Sequence, residues 1–269
     1  MCLGLLGGCT EFSKLFEEEY DPHFDIAVEY VGWTPSTAEE EGIAQAVSRW
    51  EAVLTSGVME ETIYIDQATL DANPSKPCGL IDETVDDLHV FVVLESSPEK
   101  PWASQHCLVR EEAPWFPVAG GIALGPGALE AGEYFDVLAD AVTHEIGHLL
   151  GIKAFMWEYD ADGDGVGERD LVTGMTGVTC PEEGVLTYNG ENTVAAWQAL
   201  GGVGEVPLED TGTPGTRCEH IDESTFGPEV MTGYVNHEEP NVLSSLSLGL
   251  LADLGYSVDF TAAEPYELP

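Results

Sequence analysis

Residues 144–148 read HEIGH, and this segment constrains the chain more than any other. Two histidines four residues apart lie on one face of an α-helix, where a single metal ion can reach both imidazoles. The preceding residues 135–143 carry apolar side chains at helical spacing, and Gly151 is placed to end the helix. The pattern predicts a half-buried metal-binding helix in which Glu145 lies close to a water molecule that the metal polarises. A chance match on a surface helix is the alternative.

The chain is extremely acidic. Its 269 residues include 50 Asp and Glu against 8 Lys and Arg, which gives a formal charge of −42. Such a surface repels the phosphates of nucleic acids and of anionic lipids, so neither is an expected partner. A hydrophobic content of 43% nevertheless predicts a folded globule. Because concentrated salt screens the self-repulsion, the charge indicates a halophilic source, with an ordinary acidic secreted protein as the alternative.

The first nine residues, MCLGLLGGC, form a short apolar stretch that ends at Cys9. This stretch resembles a lipobox, which precedes the acylated cysteine of bacterial and archaeal lipoproteins. We therefore expect residues 1–20 to comprise a signal-peptide remnant and an acidic tether, with a lipid anchor at Cys9 as the membrane contact. No apolar run is long enough to span a bilayer. The lipobox-like start predicts an extracellular protein that is secreted or lipid-anchored at the cell surface. An accidental apolar start is the alternative.

Four further cysteines, an even number, suit two disulfides in an oxidising compartment. They are Cys78, Cys107, Cys180 and Cys218. Four cysteines allow three pairings, and we expect the one that joins neighbours along the chain, Cys78 with Cys107 and Cys180 with Cys218. Free buried thiols are the alternative.

The N-terminal half, residues 21–151, contains both helix and strand patterns. Ser36 and Glu39 form a capping box at the start of one long helix, and HEIGH belongs to a second. Strand patterns cover residues 24–33, 61–65, 88–94 and 118–124. The third is nearly continuous in apolar residues and should be central, whereas Pro117 and the Gly120–Gly121 pair favour an edge position for the fourth. A mixed β-sheet backed by two long helices is the prediction.

The C-terminal half, residues 152–269, is rich in glycine, proline and acidic residues and is less regular. Short helices are predicted at residues 193–200 and 246–254, each followed by glycine. The two halves together indicate an α+β fold whose C-terminal subdomain is irregular. Long irregular segments in a compact domain are usually functional or held by cross-links and ions.

An acidic segment directly after the metal-binding helix resembles a calcium loop. Asp160, Asp162 and Asp164 alternate with other residues, and a glycine at the sixth position follows the EF-hand pattern. The twelfth position departs from that pattern, because a leucine stands where a bidentate acid is expected, although Glu168 and Asp170 lie close by. The segment predicts a Ca²⁺ site formed by these five acids, with a solvated turn as the alternative.

A catalytic zinc site normally has three protein ligands, so His144 and His148 require a partner. The compact form of the motif would place a third histidine where Ala154 stands, and the third ligand must therefore come from farther away. The candidates are His23, His89, His106, His220 and His237.

Three segments of the C-terminal half resemble the leishmanolysin-like metzincin peptidases of bacterial and archaeal type. Residues 220–233, HIDESTFGPEVMTG, are similar to that family's segment from the third zinc ligand to the Met-turn. Residues 193–202, TVAAWQALGG, and 251–256, LADLGY, are similar to further family motifs. The resemblance extends from about residue 24 to residue 260 and includes the HExxH helix.

The resemblance implies a metzincin-like fold and a zinc site with assigned roles. His144, His148 and His220 would bind Zn²⁺, Glu145 would be the general base, and Met231 would form the apolar floor beneath the metal. Two further residues could contribute to this site. Cys218 could also ligate zinc, but a disulfide with Cys180 is the better expectation, and Tyr234 could stabilise an oxyanion, although core packing is the better expectation.

The resemblance implies a zinc-dependent endopeptidase that hydrolyses internal peptide bonds of protein or peptide substrates. We expect the protein to be a monomer. The substrate would pair with the edge strand, which we place at residues 118–124. A cleft in so acidic a chain would favour cationic peptides, an expectation that salt screening weakens. The alternative from another class is a calcium-stabilised cell-surface binding protein on an inactive metzincin scaffold.

Overall fold

The computed structural model describes residues 23–95, 102–125, 135–162, 167–176, 179–212, 215–236 and 239–269. The predicted signal remnant, tether and lipidation site at Cys9 lie outside the described residues, as do Asp164 of the predicted calcium loop and His237. Among the described residues, no helix is both long and apolar enough to cross a membrane.

A four-stranded mixed sheet forms the N-terminal half, as predicted. Its strands are β1 (Ile26–Val31), β4 (Leu88–Leu94), β5 (Trp102–Val109) and β6 (Pro117–Leu124), in the spatial order β1-β4-β6-β5. Strands β1, β4 and β6 run parallel, and β5 pairs antiparallel to β6. The central position predicted for residues 88–94 is confirmed.

The edge position predicted for residues 118–124 is wrong, because β6 pairs with β4 on one side and with β5 on the other. Its two glycines serve close packing on both faces of the sheet. A Cβ at Gly120 would lie 2.5 Å from Leu149 Cδ2, and a Cβ at Gly121 would lie 1.7 Å from Pro77 O. Glycine in this strand therefore marks the close approach of a helix and of a neighbouring chain segment.

Two long helices cover one face of the sheet. Helix α1 (Thr37–Glu51) begins at the predicted capping box, in which Ser36 and Glu39 satisfy each other's backbone N–H groups. It packs against the HEIGH helix, α3 (Phe135–Leu149). The indole of the fully buried Trp50 donates to the Thr143 carbonyl oxygen at 2.8 Å, which fixes the two helices to each other.

A small hairpin covers the other face. It consists of β2 (Glu61–Ile65) and β3 (Ile81–Val85), with the short helix α2 (Gln67–Ala72) between them. Its apolar residues form a second core with side chains of the main sheet: Ile63, Ile65, Ile81 and Val85 pack with Phe91 and Val118. The main sheet is therefore buried on both faces.

The C-terminal half is a set of short elements held by helix packing and a small sheet. The strands β7 (Val172–Thr173), β8 (Thr187–Tyr188) and β9 (Val206–Pro207) form that sheet. The helices are α4 (Ala154–Trp157), α5 (Glu191–Ala199), α6 (Glu223–Phe226) and α7 (Ser245–Leu254), followed by a 3₁₀ turn at Phe260–Ala262. The predicted helices at 193–200 and 246–254 correspond to α5 and α7, which pack against each other.

Both expected disulfides are formed, one in each half of the chain. Cys78 is bonded to Cys107 of strand β5, and Cys180 is bonded to Cys218. The second bond excludes Cys218 as a thiolate ligand, since its sulfur is already in a covalent bond. Together the sheets and helices make an α+β protein, in agreement with the predicted class.

Candidate metal centre

Three buried histidines converge at one point of the structure. His144 and His148 occupy successive turns of α3, and His220 reaches them from the C-terminal half. The Nε2 atom of His148 lies 3.0 Å from that of His144 and 3.0 Å from that of His220, and the remaining Nε2 pair is separated by 3.1 Å. Of the predicted third ligands, the structure therefore brings only His220 to the pair, within the part of the chain that it describes.

The other nitrogen of each ring fixes its tautomer. Each Nδ1 lies at hydrogen-bond distance from a backbone carbonyl oxygen, which can only accept, so each Nδ1 carries the proton. The acceptors are Val230 O at 2.7 Å, Ile152 O at 2.6 Å and Thr216 O at 2.8 Å, for His144, His148 and His220 respectively. The three Nε2 atoms are consequently unprotonated, each with a free lone pair, and none of them can donate a hydrogen bond to another.

Three lone pairs about 3 Å apart repel one another unless a cation lies among them. Tetrahedral bonds of about 2.0–2.1 Å to zinc place ligand nitrogens roughly 3.3 Å apart, within a few tenths of an ångström of the observed separations. Burial, reinforced by the neighbouring His144 ring, lowers the pKa of His220 to about 3 and holds the pKa of His148 well below its usual value. Neutral rings with oriented lone pairs fit a zinc ion, and the carbonyls that hold them are the outer contacts usual for such ligands.

Local backbone structure brings each ring into place. Helix α3 is followed by a turn in which Gly151 has φ +111°, and this turn places the Ile152 carbonyl under His148. His220 follows the disulfide-bonded Cys218, whose φ of +68° lies in the left-handed region. Backbone hydrogen bonds between Glu209 and both Cys218 and His220 hold this loop.

Met231 packs against α3 at Gly147. A Cβ at Gly147 would lie 2.4 Å from Met231 Sδ and 3.0 Å from Trp50 Cζ2. Gly147, in the middle of HEIGH, is thus the residue that lets the Met231 segment approach the helix, a role that the motif alone does not show.

Glu229 fixes the same segment and was not predicted from the sequence. Its carboxylate is completely buried and accepts from Met231 N at 2.6 Å and from the hydroxyls of Ser244 and Ser247, each at 2.7 Å. Burial raises the pKa of Glu229, and these donors oppose that shift. The carboxylate joins the Met231 turn to the start of helix α7. In the sequence, only the serines at 244 and 247 hint at this buried hydrogen-bond network.

A cavity of about 930 Å³ opens over the histidines and is lined by residues of both halves of the chain. Glu145, directly after His144, lines it although only 4% of this residue is exposed. Tyr234 also lines the cavity and is 58% exposed, so the expectation that it packs in the core is wrong. Tyr234 comes three residues after Met231 in the chain, and its exposed side chain at the cavity wall can contact a ligand.

Strand β5 forms one wall of the cavity and was not predicted as a strand, because its residues WASQHCLV show no clean alternation. It is the edge of the main sheet, and its residues 104–109 line the cavity. Within it, His106 donates from Nε2 to the carbonyl oxygens of His148 and Leu149, at 2.9 and 3.1 Å. Burial and the charge of Lys153 lower the pKa of His106 to about 3. The ring therefore acts as a neutral cap on the end of α3 rather than as a ligand.

The two remaining candidate ligands within the described residues lie elsewhere. His23 is exposed near the start of the described chain. His89, on β4, is buried between two carboxylates, with Nε2 3.3 Å from Glu29 and Nδ1 3.3 Å from Glu83.

Part of the predicted calcium loop is assembled. Single oxygen atoms of Asp160, Asp162 and Glu168 lie within 4.8 Å of one another, but Asp170 is not part of this group. Glu168 Oε2 accepts from Ala161 N at 2.6 Å, as in an ordinary closed turn. Because exposed carboxylates commonly cluster in acidic chains, the arrangement does not support calcium over a solvated turn.

Comparison with known proteins agrees with this geometry. The family model described as Leishmanolysin matches residues 77–267, which is well over half of the chain and includes all three histidines. The chain belongs to the leishmanolysin family. A leishmanolysin-like peptidase of Caenorhabditis briggsae is 25% identical over 201 residues, which are 62% of this chain and 30% of that protein. The match therefore covers less than a third of the relative's length. Members of the family are metallopeptidases.

Proposed function

We propose that this leishmanolysin-family chain is a zinc-dependent endopeptidase in which His144, His148 and His220 hold the metal and Met231 forms the floor beneath them. The observation that carries the proposal is the convergence of three Nε2 lone pairs, each oriented by a backbone carbonyl, in a cavity that also contains Glu145. Three neutral, buried imidazoles whose Nε2 lone pairs converge on one point form a typical zinc-ligand set.

When bound, zinc would act as a Lewis acid toward a water molecule and the scissile carbonyl. Glu145 would accept the proton of the attacking water at its carboxylate and deliver it to the nitrogen of the leaving amine. The buried position of Glu145 in the cavity wall supports this role, since a fixed carboxylate needs no reorganisation before it accepts the proton. Tyr234 is a candidate donor to the developing oxyanion, supported by its exposure in the same cavity.

The substrate backbone would pair with strand β5. The original expectation assigned this role to residues 118–124, but that strand is paired on both sides, whereas β5 is the sheet edge and lines the cavity. An edge strand offers unpaired backbone N–H and C=O groups to an extended peptide. A register shift between His106 and Leu108 marks a β-bulge, which is common at sheet edges beside active sites.

The domain division and the setting of the enzyme are further parts of the proposal. Residues 76, 104–109, 144, 145 and 148 of the N-terminal part line the cavity, and so do residues 153, 155, 215, 216, 219, 220 and 233–235 of the C-terminal part. This lining supports subdomains at 21–151 and 152–269 with the cleft between them. A metzincin layout of bacterial or archaeal type is proposed from the same features.

The two disulfides are compatible with an extracellular or surface-bound protein, the setting typical of leishmanolysin-like proteins. Monomeric state, lipid anchoring and a halophilic source stay proposals from the sequence.

The alternative of an inactive binding protein has less support. It requires the scaffold to have kept three oriented imidazoles and the buried Glu145 without turnover. No feature of the described residues favours it over the peptidase.

Casein hydrolysis tests the proposed function. Purified protein should degrade casein, lose activity with a strong chelator and regain it with added zinc. Glu145→Gln should retain stoichiometric zinc and lose activity by about 10³-fold or more, whereas the control Glu191→Gln, an exposed residue on α5, should behave as wild type. Zinc-loaded wild-type protein without activity on casein or a peptide library would contradict the proposal, and so would Glu145→Gln activity above a tenth of wild type.

A further inference from the structure

The positive charges of this chain are distributed unevenly. The sequence has four lysines, and two of them lie in the described residues, Lys76 and Lys153. Both line the cavity around the three histidines. The four arginines are engaged elsewhere, through ion pairs or backbone carbonyls: Arg49 with Asp140 and Glu264, Arg110 with Pro117 O and Asp87 O, Arg169 with Met156 O, and Arg217 with Pro181 O and Gly184 O. In a chain of net charge −42, the described lysines are therefore concentrated at one site.

Lys153 is the deeper of the two. It follows the turn at the end of α3, where its backbone N–H donates to Gly151 O, and its side chain is partly buried in the cavity wall. Burial lowers the pKa of Lys153, while the carboxylates of Glu219 and Glu145 oppose that shift. Lys153 lines the same cavity as the three histidines, and its charge also lowers the pKa values of His106, His148 and His220.

No carboxylate neutralises this ammonium directly. Among the residues that the structure describes, no carboxylate oxygen lies within the 4.0 Å of an ion pair from Lys153 Nζ. Glu219 accepts from the backbone N–H of Ala154; burial raises the pKa of Glu219, and the charge of Lys153 and this hydrogen bond oppose that shift. Lys76, exposed at the rim, donates to the His106 carbonyl oxygen at 3.1 Å. A partly buried cation that faces a cavity without a bonded counter-ion favours an anionic ligand.

We propose that Lys153, assisted by Lys76, forms a carboxylate-binding subsite, so that the enzyme selects substrates that carry an acidic group near the scissile bond. The proposal rests on the proposed peptidase function and specifies its substrate class. It replaces the expectation of cationic substrates, which considered the net charge of the chain rather than the lining of the cleft. Because the surrounding surface repels anions, the subsite would discriminate at short range, where a partly desolvated pair is stronger than a surface one.

The carboxylate can come from an aspartate or glutamate side chain or from the C-terminus of the substrate. Peptide binding to the zinc-loaded Glu145→Gln protein, which does not turn substrate over, distinguishes these sources. The probes are alanine-based octapeptides blocked at both ends, with one glutamate or glutamine at each position in turn, and an N-acetylated alanine octapeptide with a free C-terminal carboxylate, compared with its C-terminal amide. At one position, or at the free C-terminus, the acidic probe should bind at least about tenfold more tightly than its neutral counterpart, or about 1.4 kcal/mol.

Variants in the same background then assign this preference. Lys153→Met should reduce the ratio of Glu to Gln affinity to within about twofold, Lys76→Met should reduce it less, and Lys153→Arg should retain most of it. The matched control is Gln198→Glu, which changes the net charge as Lys153→Met does but lies on the exposed surface of α5. Zinc content and thermal unfolding of each variant confirm that it is folded.

The outcomes separate the two proposals. No preference at any position or at the C-terminus overturns the subsite, as does a preference that survives in the folded Lys153→Met protein. If wild-type protein cleaves no peptide while the Glu preference and its dependence on Lys153 persist, the peptidase function fails and the subsite stands. Cleavage by wild type without selectivity between Glu and Gln overturns the subsite and leaves the peptidase intact.

Discussion

The Nε2 atom of His106 lies 2.9 Å from the carbonyl oxygen of His148, so a side chain of edge strand β5 caps the helix that carries two of the proposed metal ligands. The same nitrogen lies 3.1 Å from the Leu149 carbonyl oxygen. The last carbonyls of a helix lack partners within it, and here a neutral imidazole donates to the Leu149 carbonyl and adds a second donor to the His148 carbonyl, which also accepts from Gly151 N. Strand β5 and helix α3 are thereby held in a fixed relation on either side of the cavity.

Replacing His106 with phenylalanine should weaken the centre without removing a ligand. The Leu149 carbonyl would lose its imidazole donor, whereas the His148 carbonyl would keep the backbone N–H of Gly151 at 3.1 Å. We expect a cost of about 1–3 kcal/mol in the free energy of unfolding. We expect one zinc ion per chain to remain, with weaker affinity and a lower kcat/KM, and His106→Gln to restore part of both because its amide can donate. Loss of all zinc from a folded His106→Phe protein would contradict this account, since it would make His106 a ligand.

Gly147→Ala should destabilise the protein, although alanine is the better helix former by about 1 kcal/mol. The added methyl group would meet Met231 and Trp50, both fully buried, and such overpacking costs about 1–3 kcal/mol. Zinc affinity should fall as well, since His144 is oriented by the carbonyl of Val230, next to Met231. Thermal unfolding and zinc titration measure the two effects.

The matched control for this change is Gly42→Ala on α1. A Cβ there would lie 3.4 Å from Leu138 Cδ2, an ordinary contact, so this substitution should be neutral or stabilising. Equal behaviour of the two alanine variants would show that the Met231 segment does not depend on Gly147.

Removing the Cys180–Cys218 disulfide should loosen His220. Cys218 lies two residues before the ligand, and the bond closes a separation of 38 residues, which corresponds to a loss of roughly 3–4 kcal/mol of stability. The Cys180→Ser/Cys218→Ser protein should therefore release zinc faster to a chelator. The Cys78→Ser/Cys107→Ser protein is the comparison, because the bond that it lacks attaches to β5 and not to a segment that carries a proposed metal ligand. Faster zinc loss in the comparison than in the first variant would contradict the assignment.

Asp87 should make stability depend on pH. Burial raises its pKa to about 6, although its carboxylate accepts from the backbone N–H groups of Asp25 and Val58. The folded state therefore binds this proton more tightly than the unfolded state, whose pKa is near 3.8. The contribution of Asp87 is most favourable below pH 4 and falls as the pH rises through about 6, by on the order of 2–3 kcal/mol.

Chemical unfolding between pH 4 and pH 7 checks this. Asp87→Asn should flatten the decline in stability over that interval, whereas Asp82→Asn, an exposed change of equal charge, should preserve it. Parallel pH profiles of wild type and Asp87→Asn would exclude Asp87 as the cause.

Local sequence patterns predicted the elements that they specify directly. The capping box at Ser36 and Glu39 gave the start of α1, and the spacing within HEIGH gave the active-site helix. The family resemblance supplied His220, because no local rule connects residues 76 positions apart in the chain.

Features that depend on tertiary contacts were predicted poorly. The glycines of β6 resembled edge residues because their neighbours, Leu149 and Pro77, come from distant parts of the chain. Strand β5 lacks an alternating pattern since one side faces the cavity, and its pairing with β6 is interrupted by the bulge. The capping role of His106 and the buried Glu229 network likewise arise only when these segments meet.

X-ray absorption spectroscopy of the zinc-loaded protein tests the central claim most directly. One zinc ion per chain should show three imidazole nitrogens at about 2.0–2.1 Å and no sulfur, and His220→Ala should show one imidazole fewer. A wild-type spectrum with only two imidazoles, or one unchanged by His220→Ala, would contradict the proposed centre.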